Sequence, residues 1–230
     1  MKVEILEFVD GAKNAKGVTV IIDVFRAFSV ACYAFDAGAS RVITTAEIDI
    51  AFKLASRYKN PVLAGERNEK KIKNFDFGNS PTEILRTDLT GKTLIHTTTA
   101  GTQGLANAVN AELLLTGSLV NAGAVANYIK KINPSHVSLV AMGYRANISA
   151  EEDVLCAEII ASKILGKAPV SASRITDLQH TAGKRFFDPS NIDFSPPSDF
   201  FLCTMIDRFD FVLKAVRSDE NYIELFRSGS

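Results

Sequence analysis

From residue 18 to residue 165 the chain repeats one unit: a short β-branched and aliphatic run, a turn, then a stretch with helical periodicity. The run VTVIID at 18–23 is apolar until its closing acid, the composition of a strand buried on both faces. Runs at 41–45, 61–64, 92–97, 112–116 and 136–142 read as further strands, with helical stretches at 25–37, 46–58, 101–109, 119–132 and 150–165. Gly38 and Gly166 stand where helix C-termini are expected, and Pro169 lies beyond the second. Strands alternating with helices pair in parallel through right-handed crossovers. The expected fold is therefore α/β and three-layered, a mostly parallel sheet with helices on both faces.

At 230 residues the chain has length for one domain, 1–230, or for two intimately packed halves of about 1–90 and 91–230. Beyond 171 the rhythm weakens: 175–182 reads as helix, 188–199 as a Pro/Ser-rich connection, and 200–227 as several apolar turns. Phe200, Phe201, Phe209, Phe211 and Phe226 suit either core packing or a homodimer interface. Lysines and arginines number 26, as do aspartates and glutamates, so no net charge draws the chain to nucleic acid or an anionic membrane. The first ten residues lack a signal-peptide core and no apolar run reaches bilayer length, so a soluble, cytoplasmic protein is expected. Cys32, Cys156 and Cys203 are far apart, form no C-x-x-C pair, and read as small buried residues.

Open α/β sheets bind ligands beyond the carboxyl ends of their strands. The residues following each expected strand are Asp23, Arg26 and Ser29; Glu66 and Arg67; Thr97 to Thr102; Gly117 and Ser118; and Gly143 and Arg145, with Glu152 and Asp153 beyond. Each has a structural reading too. Asp23 suits a helix N-cap, although Arg26 in the first turn opposes the helix dipole unless an anion is present. The TTTAGT segment at 97–102 reads either as a capped strand end or as an anion cradle of backbone N–H groups. Ser149 and Glu152 have the spacing of a capping box, which leaves Asp153 as the better catalytic candidate. Between strands, residues 66–81 form a polar, charged loop too long for a casual connection, with Phe75 and Phe77 to anchor it. His96, His136 and His180 show no zinc spacing; dispersed carboxylates with a phosphate oxygen and water suit Mg2+.

Six of these segments, taken in order, resemble the 2-phosphosulfolactate phosphatase family: IDVFRAFS at 22–29, GER at 65–67, FDFGNSP at 75–81, TTTAGT at 97–102, GSLVNA at 117–122 and EDVLCA at 152–157. They cover most of residues 18–165. The resemblance implies an Mg2+-dependent hydrolase that releases phosphate and 3-sulfolactate, a step of coenzyme M biosynthesis. This chain departs from the family pattern at Asn68-Glu69, where glycines follow the arginine, at Lys73-Asn74, where Pro-Gly is usual, and at Phe28.

On this reading Asp23, Glu66 and Asp76 hold the metal or activate water, with Glu152 and Asp153 as supporting acids. Arg26, Arg67 and Arg145 neutralise phosphate and a second anionic group, for which a planar guanidinium is suited. Thr99, Gly101, Thr102, Ser29 and Ser118 donate to substrate oxygens, while Asn79 and Ser80 position the loop. Direct attack by water and an aspartyl-phosphate on Asp23 both stay open, although Phe25 breaks the D-x-D pattern. Two other functions are carried forward: phosphoryl transfer to another small metabolite, and a non-catalytic sensor of an anionic metabolite.

Overall fold

The expected runs form strands in a computed structural model that describes residues 1–229. β1 (Lys2–Glu7) and α1 (Phe8–Asn14) precede β2 (Gly17–Ile22), all six of whose residues are buried. There follow α2 (Ala27–Asp36), β3 (Arg41–Thr44), α3 (Ile48–Ala55), β4 (Pro61–Arg67), β5 (Lys70–Lys71), α4 (Pro81–Leu85), β6 (Thr93–Thr97), α5 (Ala100–Asn107) and β7 (Ala111–Gly117). Then come α6 (Ala122–Ile132), β8 (His136–Ala141), α7 (Glu151–Leu165), α8 (Ser173–Asp177), α9 (Pro197–Cys203), β9 (Phe211–Arg217) and β10 (Ile223–Gly229).

The strands join one sheet in the order β1-β8-β2-β7-β9-β10-β3-β6-β4-β5. Alternate residues of β2 enter two cores, as the strand's two-residue period requires. Ile21 packs with α1, α2 and α5, whereas Val18, Val20 and Ile22 pack with α6 and α7. A third cluster seats α3 on Ile43, Leu63 and Ile95 of the far strands. The sheet thus carries helices on both faces, the expected three layers.

Two parallel groups, β1-β8-β2-β7 and β3-β6-β4, flank an antiparallel hairpin, β9-β10. That hairpin pairs antiparallel to β7 on one side and to β3 on the other. Three reversals in succession make the groups run in opposite senses. A division near residue 90 does not describe them, because β2 sits with β7 and β8 while β6 sits with β3 and β4. The carboxyl ends of the two groups nonetheless meet, since residues that close or follow β2 and β8 of one group and β4 and β6 of the other line one cavity. No helix among the described residues is long and apolar enough to cross a membrane.

Between α7 and β9 the chain makes a long excursion of short helical turns, including α8 and α9. Phe186 and Phe200 of the excursion pack on Phe25, with ring centroids 5.0 and 5.8 Å away. Asp199 forms a buried ion pair with Arg26 at 2.6 Å and also accepts from Ser80 Oγ and the Thr82 N–H. These contacts hold the excursion over the end of β2.

Candidate active site

A cavity of about 160 Å³ opens where the carboxyl ends of β2, β4, β6 and β8 converge. Asp23 follows β2, Glu66 is the penultimate residue of β4, Thr98 and Thr99 follow β6, and Gly143 to Arg145 follow β8. Glu152 and Asp153 enter from the first turn of α7, and Arg185 enters from the excursion.

Backbone donors fix three of the acids. Asp23 Oδ1 accepts from the Ala27 N–H at 3.0 Å, and Oδ2 from the Gly101 N–H at 2.9 Å. Asp23 therefore both caps α2 and reaches the start of α5. Glycine at 101 eases that approach, since a Cβ there would press on Asp23 Oδ2 and Phe28 Cζ, each at 3.0 Å. Glu66 Oε1 accepts from the N–H and hydroxyl of Thr99, and Oε2 from the Glu69 N–H. Asp153 takes the Val24 N–H at 2.7 Å and the Gly143 N–H at 2.9 Å, clamping the ends of β2 and β8 together.

Burial raises the pKa of the Asp23 carboxyl to about 6, against its two backbone donors; Glu66 pushes it further up and Arg185 down. Asp153 is raised by burial first and by the charges of Glu152 and Asp23 next. Glu152 is 6 % exposed and raised to about 7, with burial again the largest cause. Its Oε2 is buried without any hydrogen-bond partner among the described residues. A carboxylate so placed carries an uncompensated desolvation cost.

The structure corrects several expectations from sequence. The capping box does not form: Ala150 takes the N-cap position of α7, and Ser149 Oγ donates to Glu7 instead. Glu152 is consequently the free acid and Asp153 the anchored one. The anion cradle is also occupied, because the Thr99 and Gly101 N–H groups at the start of α5 hold Glu66 and Asp23. Asp76 lies on the surface outside the cavity, its Oδ2 accepting from the Leu63 N–H at 2.8 Å. Arg67 donates to the carbonyls of Glu66 and Ala46 and does not line the cavity.

Arg26 does line it, but Asp199 and the Phe194 carbonyl share its Nη1. Ser29 and Ser118 pair with each other at 2.7 Å in the core, and Thr102 bonds to the hydroxyls of Thr44 and Thr98. Ser80 caps α4. All four lie outside the cavity wall. Asn79 lines it, accepting from Nε2 of His96, whose burial lowers its pKa to about 4. Arg145 stands exposed at the rim, 3.2 Å from Asn68 Oδ1.

Arg185 is the residue that reading strand ends misses. It is half-buried, donating through Nη1 to Glu69 at 2.6 Å and through Nη2 to the Phe25 carbonyl at 3.1 Å. It follows no strand; the available signal was a cation abutting two aromatic residues, KRFF at 184–187, inside a polar connection. Asn68 and Glu69, also on the wall, have φ of 52° and 70°, the left-handed region that favours glycine.

The donor set bears on Mg2+. Among the described residues no three Asp, Glu, His or Cys side chains converge as a ready metal cage. Mg2+ needs no such cage, as it keeps several waters and takes one or two carboxylates plus substrate phosphate. Asp23 and Glu66 each retain lone pairs beyond their backbone bonds, and the ionised pair repel within the cavity. An oxygen-ligated divalent cation fits this chemistry.

An α/β sheet with buried acids and guanidinium groups at its carboxyl edge belongs to an enzyme that handles a small charged metabolite. Comparison with known proteins narrows that class. A profile described as 2-phosphosulpholactate phosphatase matches residues 5–216, and the chain belongs to this family. It is similar to the probable 2-phosphosulfolactate phosphatase of Bacillus subtilis (strain 168), 33% identical over 207 residues covering 88% of this chain and 89% of the relative. It is also similar to the proteins of the same description from Caldanaerobacter subterraneus subsp. tengcongensis and Carboxydothermus hydrogenoformans. The former is 33% identical over 209 residues, covering 85% of this chain and 86% of the relative. The latter is 39% identical over 153 residues, covering 66% and 63%.

Proposed function

We propose that the chain hydrolyses a phosphomonoester of a small anionic organic acid, 2-phospho-3-sulfolactate being the substrate its family's name supplies. The observation that carries this reading is the buried, unpartnered Oε2 of Glu152 in a cavity that Arg185 also lines. An anionic ester gives the guanidinium a partner, and an attacking water gives the carboxylate one. With a pKa near 7, Glu152 is matched to taking a proton at neutral pH. Asp153, both of whose oxygens are engaged by backbone, holds the helix turn that aims Glu152. Arg145 at the rim and Arg185 deeper in orient the anionic groups through forked hydrogen bonds.

Asp23 and Glu66 are the residues that would hold Mg2+. When bound, the cation polarises the phosphoryl group and offsets the charge of the crowded acids. Glu152, as a base with a pKa near 7 facing the cavity, favours attack by water over an aspartyl-phosphate. The test is a screen of the purified protein against phosphorylated organic acids with and without Mg2+. Mg2+-stimulated phosphate release, lost in Glu152→Gln, is the expected result. An absence of phosphate release from every ester sinks the proposal.

A further inference from the structure

We infer that Glu69 is a built-in counter-anion on Arg185, which the second anionic group of a substrate has to displace, so that Glu69 sets the charge selectivity of the cavity. The inference rests on the phosphomonoester reading for its kinetic arm only. Glu69 Oε1 lies 2.6 Å from Arg185 Nη1, both residues line the cavity, and both side chains are about a quarter exposed or less. A pair this accessible is open to exchange with a ligand.

Other cations at the cavity are committed differently. Arg26 is buried against Asp199, whose remaining bonds to Ser80 and Thr82 make that pair part of the scaffold. Among the described residues Arg185 hydrogen-bonds to the scaffold only through Nη2, and its Nε is buried with no hydrogen-bond partner. Glu69 reaches it from the turn between β4 and β5, where Asn68 and Glu69 both hold left-handed backbone angles. The turn is fixed from below by the Glu69 N–H on Glu66 Oε2 at 2.8 Å. The carboxylate is thus presented into the cavity at the position a ligand's sulfonate or carboxylate would take.

A ligand with a second anion must break the Glu69–Arg185 pair and then sit near the displaced carboxylate. A monoester with a neutral tail leaves the pair intact. The wild-type chain is therefore expected to prefer the less charged ester by more than a chain lacking Glu69.

Sulfoacetate, a small sulfonate carrying a carboxylate, is the probe for calorimetric titration of wild type, Glu69→Gln and Glu69→Gly. Glycine suits the backbone angle at 69, so the second variant guards against misfolding of the first. Both variants should bind sulfoacetate about tenfold more tightly than wild type, the factor one charge-assisted hydrogen bond carries. The KM for phosphoglycolate relative to ethyl phosphate should fall by a similar factor. Equal affinities in all three proteins, or no binding by any at millimolar sulfoacetate, overturn the inference. If no ester is hydrolysed but the affinities separate as stated, the phosphatase reading fails and the role of Glu69 stands.

Discussion

Replacing Glu152 with glutamine should make the protein more stable and less active, and the gain should depend on pH in a calculable way. The folded-state pKa of Glu152 is raised from 4.5 to about 7. Between those values the folded protein retains a proton that the unfolded chain has released, so stability falls as pH rises through this window. Well above pH 7 the full cost is present: a rise from 4.5 to about 7 is worth about 3.5 kcal/mol at ~1.4 kcal/mol for each pH unit. Glutamine never ionises, and it relieves Asp153, whose pKa the charge of Glu152 also raises. The new amide places an unpartnered polar group at the Oε2 position, which returns about 1 kcal/mol of the gain. Urea melts in EDTA should show Glu152→Gln about 2.5 kcal/mol more stable than wild type at pH 8. Near pH 4.5 the charge cost is nearly gone and the amide's remains, so the gain should give way to a loss of under about 1 kcal/mol. Turnover should drop by about a hundredfold or more, the contribution of a positioned general base. A variant no more stable at pH 8, or equally stabilised at both pH values, refutes the assignment of a buried, charged Glu152.

Asp199→Ala should lose about 3–5 kcal/mol in the same melts, because it strands Arg26 in a site where it is 3 % exposed. Asp76→Ala should retain wild-type turnover within about twofold and lose only about 1 kcal/mol, the worth of its bond to the Leu63 N–H; abolished turnover would return it to the site. Mg2+ should raise the melting temperature of wild type and do so less in Asp23→Asn, read by calorimetry independently of activity.

Sequence made the fold legible wherever burial on both faces left a continuous apolar run. β2 and β8 are of this kind, as is the carboxyl edge that places Asp23 and Glu66. It concealed β1, whose KVEILE alternates as an edge strand does, and β9-β10, whose outer positions are polar or exposed. With them went the reversal of direction in the middle of the sheet. Within the site, spacing identified which acids are present but not which are free. Ser149 could have capped α7, and only its bond to Glu7, distant in sequence, shows otherwise. Asp76 and Arg67 looked equivalent to Glu66 because a local pattern does not record which way a loop turns. Arg185 was invisible for the converse reason: the excursion that delivers it carries no strand to mark an edge.

The order of strands sets when this protein first becomes competent. Asp23 and Glu66 are borne by groups whose only hydrogen-bonded bridge within the sheet, among the described residues, is β9-β10, made from residues 211–229. On a ribosome Asp23 and Glu66 are synthesised before that bridge and lack it until residues 211–229 have emerged. Until then exposed strand edges, rather than a working enzyme, are what the nascent polypeptide presents to chaperones.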